Sequence, residues 1–511
     1  MSRFSRANRH RSQVGEVAIW QARTESITAT AFLIVVVATT LAFGSIEAWS
    51  IGLASLLLIV LIALWAIEMI ASRKVSIAVP LEALPVVGLI ILGLVQSISW
   101  TAPDGHRASV SWDVDQTRAI VVILVLLLGG MLVAANHWTS RDRLRRLAWV
   151  LTIFGFAVAV FALIQHFTWN GSIYWLRPMA SMMTAFGPFG NHNLYSGFME
   201  LLVPIPITMV LTHAVRGPVR LFCIFATTIM GLSIVVSLSR GGMIALAAAV
   251  FFLGAVAIQM TLAARRRWDE EYEEDEDSED DEDTYGEYAG RKDRGLLPVS
   301  RGSRLAGMRV WWAPLGAVVL IVLLLLGGML WLGPDKVASR VTQSTLSGND
   351  PYGQNFYASR GFIWLDTMKM FKDNPIAGIG LGAFPTAFPR YTETDGTYPV
   401  FQAHNDLLQI FADGGIIGGG LAVIFVILVA RSFARGLRAS DPWRRSLALG
   451  MGTAMVSLLV HSVFDWNMQV TATALLFLSY GAILGRIGET VVERETSVGL
   501  ELVSSKGVVT R

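Results

Sequence analysis

Two arginines and a histidine stand where membrane chains rarely place them. Arg240 closes an apolar run in the segment Ser237-Leu238-Ser239-Arg240-Gly241-Gly242, while Arg360 and His404 lie in a loop of about 80 residues, Gly333 to Asp413, between two further apolar runs. A guanidinium grips an oxyanion through a planar fork that lysine cannot reproduce. A neutral imidazole is the commonest general base. Held at a membrane surface, these groups fit work on an anionic, lipid-borne substrate.

The residues around them sharpen that reading. His404 is followed by Asn405 and Asp406, either of which is expected to cap the helix leading into the next span, and a helix amino-terminus there favours the neutral imidazole. Residues 357 to 372 predict an amphipathic helix with Phe362, Leu365, Met368 and Phe371 on one face and Asn374-Pro375 as its stop. Arg360 is expected in its first turn, where the free N–H groups would add to its charge. Glu200 should lie about 9 Å inside a span, at ~1.5 Å rise per residue. It needs a partner there, and Arg240 is nearest in depth.

Other chemistries find little footing. The glycines Gly378, Gly380 and Gly382 have neither the spacing nor the strand-turn-helix setting of a nucleotide loop. Cys223 is the single cysteine, which excludes an intramolecular disulfide or a thiolate cluster. His166, His192 and His461 are scattered without metal-ligand spacing. No metal and no cofactor is expected, and no nucleic-acid partner.

The elements that must position these residues are membrane helices. Hydrophobic residues make up 53% of the chain and charged ones 16%, and mean hydropathy is +0.53. Apolar runs recur along its length, so the expected fold is an all-α polytopic membrane protein with a large loop containing short helices. Twelve spans are expected, near 28–46, 51–70, 79–98, 119–136, 147–166, 194–212, 219–237, 242–263, 312–332, 413–430, 446–463 and 469–485. With the amino terminus cytoplasmic, 31 of the 41 Lys and Arg fall on the cytoplasmic side, as the positive-inside rule requires. Both termini would then be cytoplasmic and the loop 333–412 outside. The first span reads as a signal anchor.

The expected organisation is a cytoplasmic tail over 1–27, helices one to six over 28–212, a core over 213–430, two last helices over 431–485, and a second tail over 486–511. The core is interrupted by a cytoplasmic loop, 265–310. Its residues 269–283 contain 13 acids, which mask a net charge of +15 elsewhere. Such a stretch buries too little apolar surface to order itself and is expected to be a disordered tether, with docking to a basic cytoplasmic partner as the sharper alternative.

Four segments together resemble the O-antigen ligase and polymerase family of bacterial envelope glycosyltransferases. They are Gly187-Pro-Phe-Gly-Asn191-His192-Asn193-Leu-Tyr-Ser-Gly-Phe-Met-Glu200, Ser239-Arg240-Gly241-Gly242, Pro375 to Phe384 with His404-Asn405-Asp406 and Gly414-Gly415, and His461-Ser-Val-Phe-Asp465-Trp-Asn467. The likeness covers residues near 185 to 467, and the acidic insertion departs from the pattern. It implies a metal-independent, inverting transferase of the bacterial inner membrane, with its active site at the periplasmic face. The donor would be a glycan on undecaprenyl diphosphate, and the acceptor either lipid A core, for a ligase, or a second lipid-linked glycan, for an O-antigen or exopolysaccharide polymerase. Arg240 and Arg360 would hold the diphosphate and His404 would deprotonate the acceptor, with Glu200, Asn405 and Asp406 in support. The Asn191-His192-Asn193 entry and the long loop incline the reading toward a polymerase. A solute transporter of bicarbonate type is the alternative from another class. It would predict inverted repeats with broken helices, and no such symmetry is visible.

Overall fold

The computed structural model describes residues 23–72, 76–101, 103–104, 107–179, 185–282, 356–392 and 399–506. The regular structure of these residues is helical, apart from two small antiparallel hairpins, Ser99–Thr101 with Arg107–Ser109 and Ser172–Ile173 with Arg177–Pro178. The helices are α1 (Arg23–Leu41), α2 (Ala48–Ser72), α3 (Ala83–Gln96), α4 (Val114–His137), α5 (Arg141–Phe167), α6 (His192–Glu200) and α7 (Pro204–Leu211). They continue with α8 (Pro218–Val236), α9 (Arg240–Glu282), α10 (Phe356–Asp373), α11 (Phe384–Ala387), α12 (Asp406–Gly436), α13 (Pro442–Ser462) and α14 (Thr471–Lys506). Among the described residues, nine segments are long and apolar enough to cross a membrane, α6 and α7 counting as one. The chain is a polytopic all-α membrane protein. The shorter α3 and the less apolar α13 occupy two further expected spans, whereas the expected span 312–332 lies outside the described residues.

Local chemistry sets most helix starts. Asp113, Ser140, Asn191, Asn405 and Asp441 each accept a backbone N–H from the first turn that follows, and Pro204, Pro218 and Pro442 take a position where a missing N–H costs nothing. The span expected at 194–212 is interrupted between α6 and α7, because Pro204 cannot donate to the preceding turn. The break is fully buried, and the Tyr480 hydroxyl donates to the Leu201 carbonyl at 2.8 Å. Such compensation is what permits irregular backbone at membrane depth.

One expectation is corrected. The acidic run is helical as far as Glu282, where a disordered tether was expected. Arg and Glu are good helix formers, and residues that extend an existing helix need no new nucleus. Residues 283–310 lie outside the description. The amphipathic helix expected over 357–372 is present as α10, and its apolar face is turned outward. Phe362, Leu365 and Met368 are exposed, whereas Asp366 and Thr367 are buried and Met370 packs with Ile379, Phe384 and Ala403.

A pairing between the glycine run and α12 fixes the large loop. At Gly415 the α12 backbone turns to φ 63°, ψ −160°, which breaks the helical hydrogen-bond ladder. The loop supplies the missing partners. Ile416 N–H donates to Pro375 O at 2.8 Å, Ile379 N–H to Ala412 O at 3.0 Å and Gly380 N–H to Asp413 O at 3.0 Å. Buried Gln96, at the end of α3, donates to Ala377 O (2.6 Å) and Asp413 O (2.9 Å) and accepts from Leu381 N–H (3.0 Å). A side chain at Gly415 would place Cβ 2.2 Å from Ile376 O, and one at Gly378 would place it 2.4 Å from the Asp413 backbone.

Gly415→Ala therefore combines a left-handed backbone with a clash against main chain, and should destabilise the folded protein by more than about 1–3 kcal/mol. Gly420→Ala, in a mid-helix position with open space around it, should be neutral or gain up to about 1 kcal/mol. Thermal unfolding in detergent, read by near-ultraviolet circular dichroism, checks the contrast.

Candidate active site

The four sequence segments converge at one end of the bundle. α6 packs against the start of α9: His192 Nδ1 lies 2.6 Å from Ser237 O, and the Ser196 and Ser237 hydroxyls are 2.8 Å apart. Ser239 caps α9 by accepting Gly242 N–H at 3.1 Å, so Arg240 is the first residue of that helix. Gly241 lies so close to the end of α13 that a Cβ there would meet His461 Nε2 at 2.6 Å. Gly197 faces Asn467 in the same way, with Oδ1 at 2.1 Å from a built Cβ. Both glycines permit the approach that brings α6, α9 and the 461–467 segment together.

Asp465 is the point where the large loop joins this cluster. Its Oδ1 lies 3.3 Å from His404 Nδ1 and its Oδ2 lies 3.5 Å from Arg360 Nη2. The carboxylate is 2% exposed, against 12% for Arg360 and 31% for His404. Burial alone would raise the Asp465 carboxyl. The hydrogen bond from His404 and the Arg360 guanidinium outweigh it and hold the group well below the usual carboxylate range. Backbone bonds brace the turn as well: Phe464 and Asp465 N–H donate to His461 O (2.8 and 3.1 Å), and Asp406 N–H donates to Asp465 O (3.3 Å).

This geometry assigns atoms. A carboxylate only accepts, so in the neutral tautomer that bonds Asp465 the proton of His404 resides on Nδ1 and the lone pair on Nε2. The arrangement is that of a base oriented by a buried acid. His404 is also held at φ 50°, a left-handed conformation uncommon for a non-glycine residue and frequent at functional sites. The Trp364 indole N–H, bonded to Ala403 O at 3.0 Å, ties α10 to the same corner.

The expected site residues fall out as follows. His404 and Arg360 are brought together through Asp465, an acid that the sequence reading quoted within a motif but gave no role. Arg240 stands one residue from the contact between Gly241 and His461. Arg360 is the fifth residue of α10, beyond the first turn, so its neighbour is Asp465 rather than the helix end. Asn405 is the cap of α12, accepting Leu408 N–H at 2.9 Å. Asp406 instead accepts Met468 N–H at 3.0 Å and so links α12 to the start of α14. Glu200 does not pair with Arg240. Its Oε1 lies 2.7 Å from Nδ1 of His461, with both side chains buried, where α6 packs against α13. His461 and Asp465, both quoted within a motif, were given no role in the site by sequence reading. A lone acid and a histidine four residues apart within an otherwise apolar stretch were the available signal. Groups of His, Cys, Asp or Glu able to hold a metal ion are absent among the described residues.

Fold and site together define a polytopic membrane protein with a His–Asp–Arg cluster at one end of its helices. The family model described as O-antigen ligase matches residues 301–423, and this bears out the resemblance to the O-antigen ligase and polymerase family. The matched stretch contains Arg360, His404, Asn405 and Asp406, along with residues outside the description. No curated protein matches the chain.

Asp465→Asn preserves shape but lets the side chain present an N–H to His404 or Arg360. Turnover should fall on the order of 10³- to 10⁴-fold, the scale on which base-orienting acids act, with protein level in the membrane unchanged. Comparison of purified variant and wild type with lipid-linked donor checks this.

Proposed function

We propose that the chain is an inner-membrane glycosyltransferase that moves a glycan from undecaprenyl diphosphate to an acceptor hydroxyl at the periplasmic face. The observation that carries the reading is the shared carboxylate. Asp465 orients the half-buried imidazole of His404 and also neighbours the Arg360 guanidinium, so base and anion-binding group are set in one frame. The family match supports the same class of activity and lends nothing to the solute-transporter alternative.

In the proposed reaction, His404 Nε2 takes the proton of the acceptor hydroxyl as its oxygen bonds to the anomeric carbon of the donor. The bond from that carbon to the diphosphate oxygen breaks on the opposite face, so the centre inverts. The electron pair leaves with the diphosphate, and Arg240 and Arg360 stabilise its developing charge, as fixed guanidiniums in a partly dry site do without a metal ion. Asp465 holds the imidazole and stabilises the imidazolium that forms. Asn405 and Asp406 fix the start of α12 beside it, and Glu200 supports the site through His461. An apolar cleft lined by Phe252, Phe425, Val429, Phe433, Met455 and Leu459 suits a polyprenyl chain.

Orientation belongs to the proposal too. Arg141 pairs with Asp441, Arg143 with Glu25 and Arg486 with Glu489, all at the end opposite the site. The positive-inside rule then puts that end, both termini and the acidic extension of α9 in the cytoplasm, and the site outside. The core remains residues 213–430, with a basic cytoplasmic partner as the candidate ligand of 269–283. Between acceptors, the Asn191-His192-Asn193 entry and the long loop favour a polymerase, acting on exopolysaccharide or O-antigen, over a ligase to lipid A core.

Arg240→Lys and Arg360→Lys keep the charge but lose the fork, so each should lower transfer sharply. His404→Ala should lower it on the order of 10²- to 10⁴-fold while donor still binds. Accumulation of undecaprenyl-linked glycan in cells, with the variants present at normal level, is the expected readout. Wild-type donor turnover by both purified His404→Ala and Arg360→Lys would remove the loop from the active site and the mechanism with it.

A further inference from the structure

The face of α10 that turns away from the protein is apolar. Phe362, Leu365 and Met368 are 61, 57 and 41% exposed, and Ile376, just past the helix, is 70% exposed. The opposite face is already committed to the core of the loop through Ile363, Thr367 and Met370. A second observation locates the outward face. Ile417 N–H donates to Ile376 O at 3.3 Å and Ile416 N–H to Pro375 O at 2.8 Å, so Ile376 lies against the kink of α12. Beyond the kink, residues 416 to 436 form a stretch of roughly 31 Å at ~1.5 Å per residue, the thickness of a hydrocarbon core. Ile416 and Ile417 are themselves exposed and stand at its edge. The lipid-facing surface of α12 therefore runs directly onto Ile376 and from there onto α10.

We propose that α10 is an interfacial helix. It lies along the leaflet on the site's side, with Phe362, Leu365 and Met368 among the upper acyl chains. Lys369, paired with Asp366 at 2.7 Å, and Lys372 stand toward its carboxyl end, where the long stem of Lys372 lets its ammonium group reach lipid phosphates. The occupant of this face is bulk phospholipid. The consequence is positional: Arg360, on the inward side of the same helix beside Asp465, is held at headgroup level, the depth of any lipid-linked phosphate. The proposal does not depend on the transferase reading, since the membrane contact would exist whatever the site does.

Spin labels test it. In a Cys223→Ala background, with the single native cysteine removed, labels are placed at Leu365→Cys and separately at Met368→Cys. Ile417→Cys serves as the lipid-facing reference. The labelled proteins are reconstituted in nanodiscs of phosphatidylethanolamine and phosphatidylglycerol that contain no polyprenyl lipid. Collision with oxygen should exceed collision with a water-soluble nickel chelate at both α10 positions, as at Ile417. A preference for the nickel chelate at Leu365 and Met368 would overturn the proposal and leave the helix standing in water. A switch to oxygen preference only after undecaprenyl phosphate is added would overturn it in favour of a substrate-tail groove. Dipolar broadening that disappears on dilution with unlabelled protein would overturn it in favour of a second copy of the chain. Two exposed positions are used so that one poorly tolerated substitution does not decide the result.

Discussion

A buried carboxylate in a membrane protein must be answered by donors, and Asp465 is answered from two directions by residues of a different part of the chain. That requirement closes the large loop onto the helix bundle. His404 at 3.3 Å and Arg360 at 3.5 Å come from segments on either side of the glycine run, so the acid fixes the start of α12 and the start of α10 in one frame. Removing one partner of such an arrangement leaves an uncompensated charge in a low-dielectric region, which costs far more than the pairing itself contributes. The same constraint explains the turn beneath it, in which His461 O accepts two N–H groups and Glu200 occupies the ring nitrogen of His461.

Backbone irregularities at this end follow the same logic. The break at Pro204 and the kink at Gly415 each free polar groups that lipid cannot satisfy. Tyr480 answers the first; Gln96 and the 375–380 loop answer the second. The glycines of the loop are thus explained by close approach to α12, and a phosphate cradle is not needed to account for them. Irregular backbone appears where a site must be assembled from distant segments, and each irregularity has a named compensating donor or acceptor.

Periodicity and charge made the membrane architecture legible in the sequence, because spans announce themselves by length and hydropathy. They also made Arg360, His404 and Arg240 legible as candidates, since basic residues at apolar-run ends are conspicuous. Asp465 and His461 were harder to read: their partners are set by packing between α6, α9, α12 and α13, and spacing within one helix carries no trace of it. Glu200 was assigned the wrong partner for the same reason, depth along a span being visible in sequence and neighbours across it not. The acidic run was misread because composition describes a segment in isolation, whereas here it extends a helix already formed.

The central claim is that Asp465 acts through His404 and Arg360 rather than independently. A double-mutant cycle tests it most directly, with donor turnover measured for His404→Ala, Asp465→Asn and the combined variant. If Asp465 works by orienting the histidine, the double variant will be scarcely slower than the slower single variant, because groups that act as a unit lose their effect together. Two losses that multiply would contradict the account and give Asp465 a separate role.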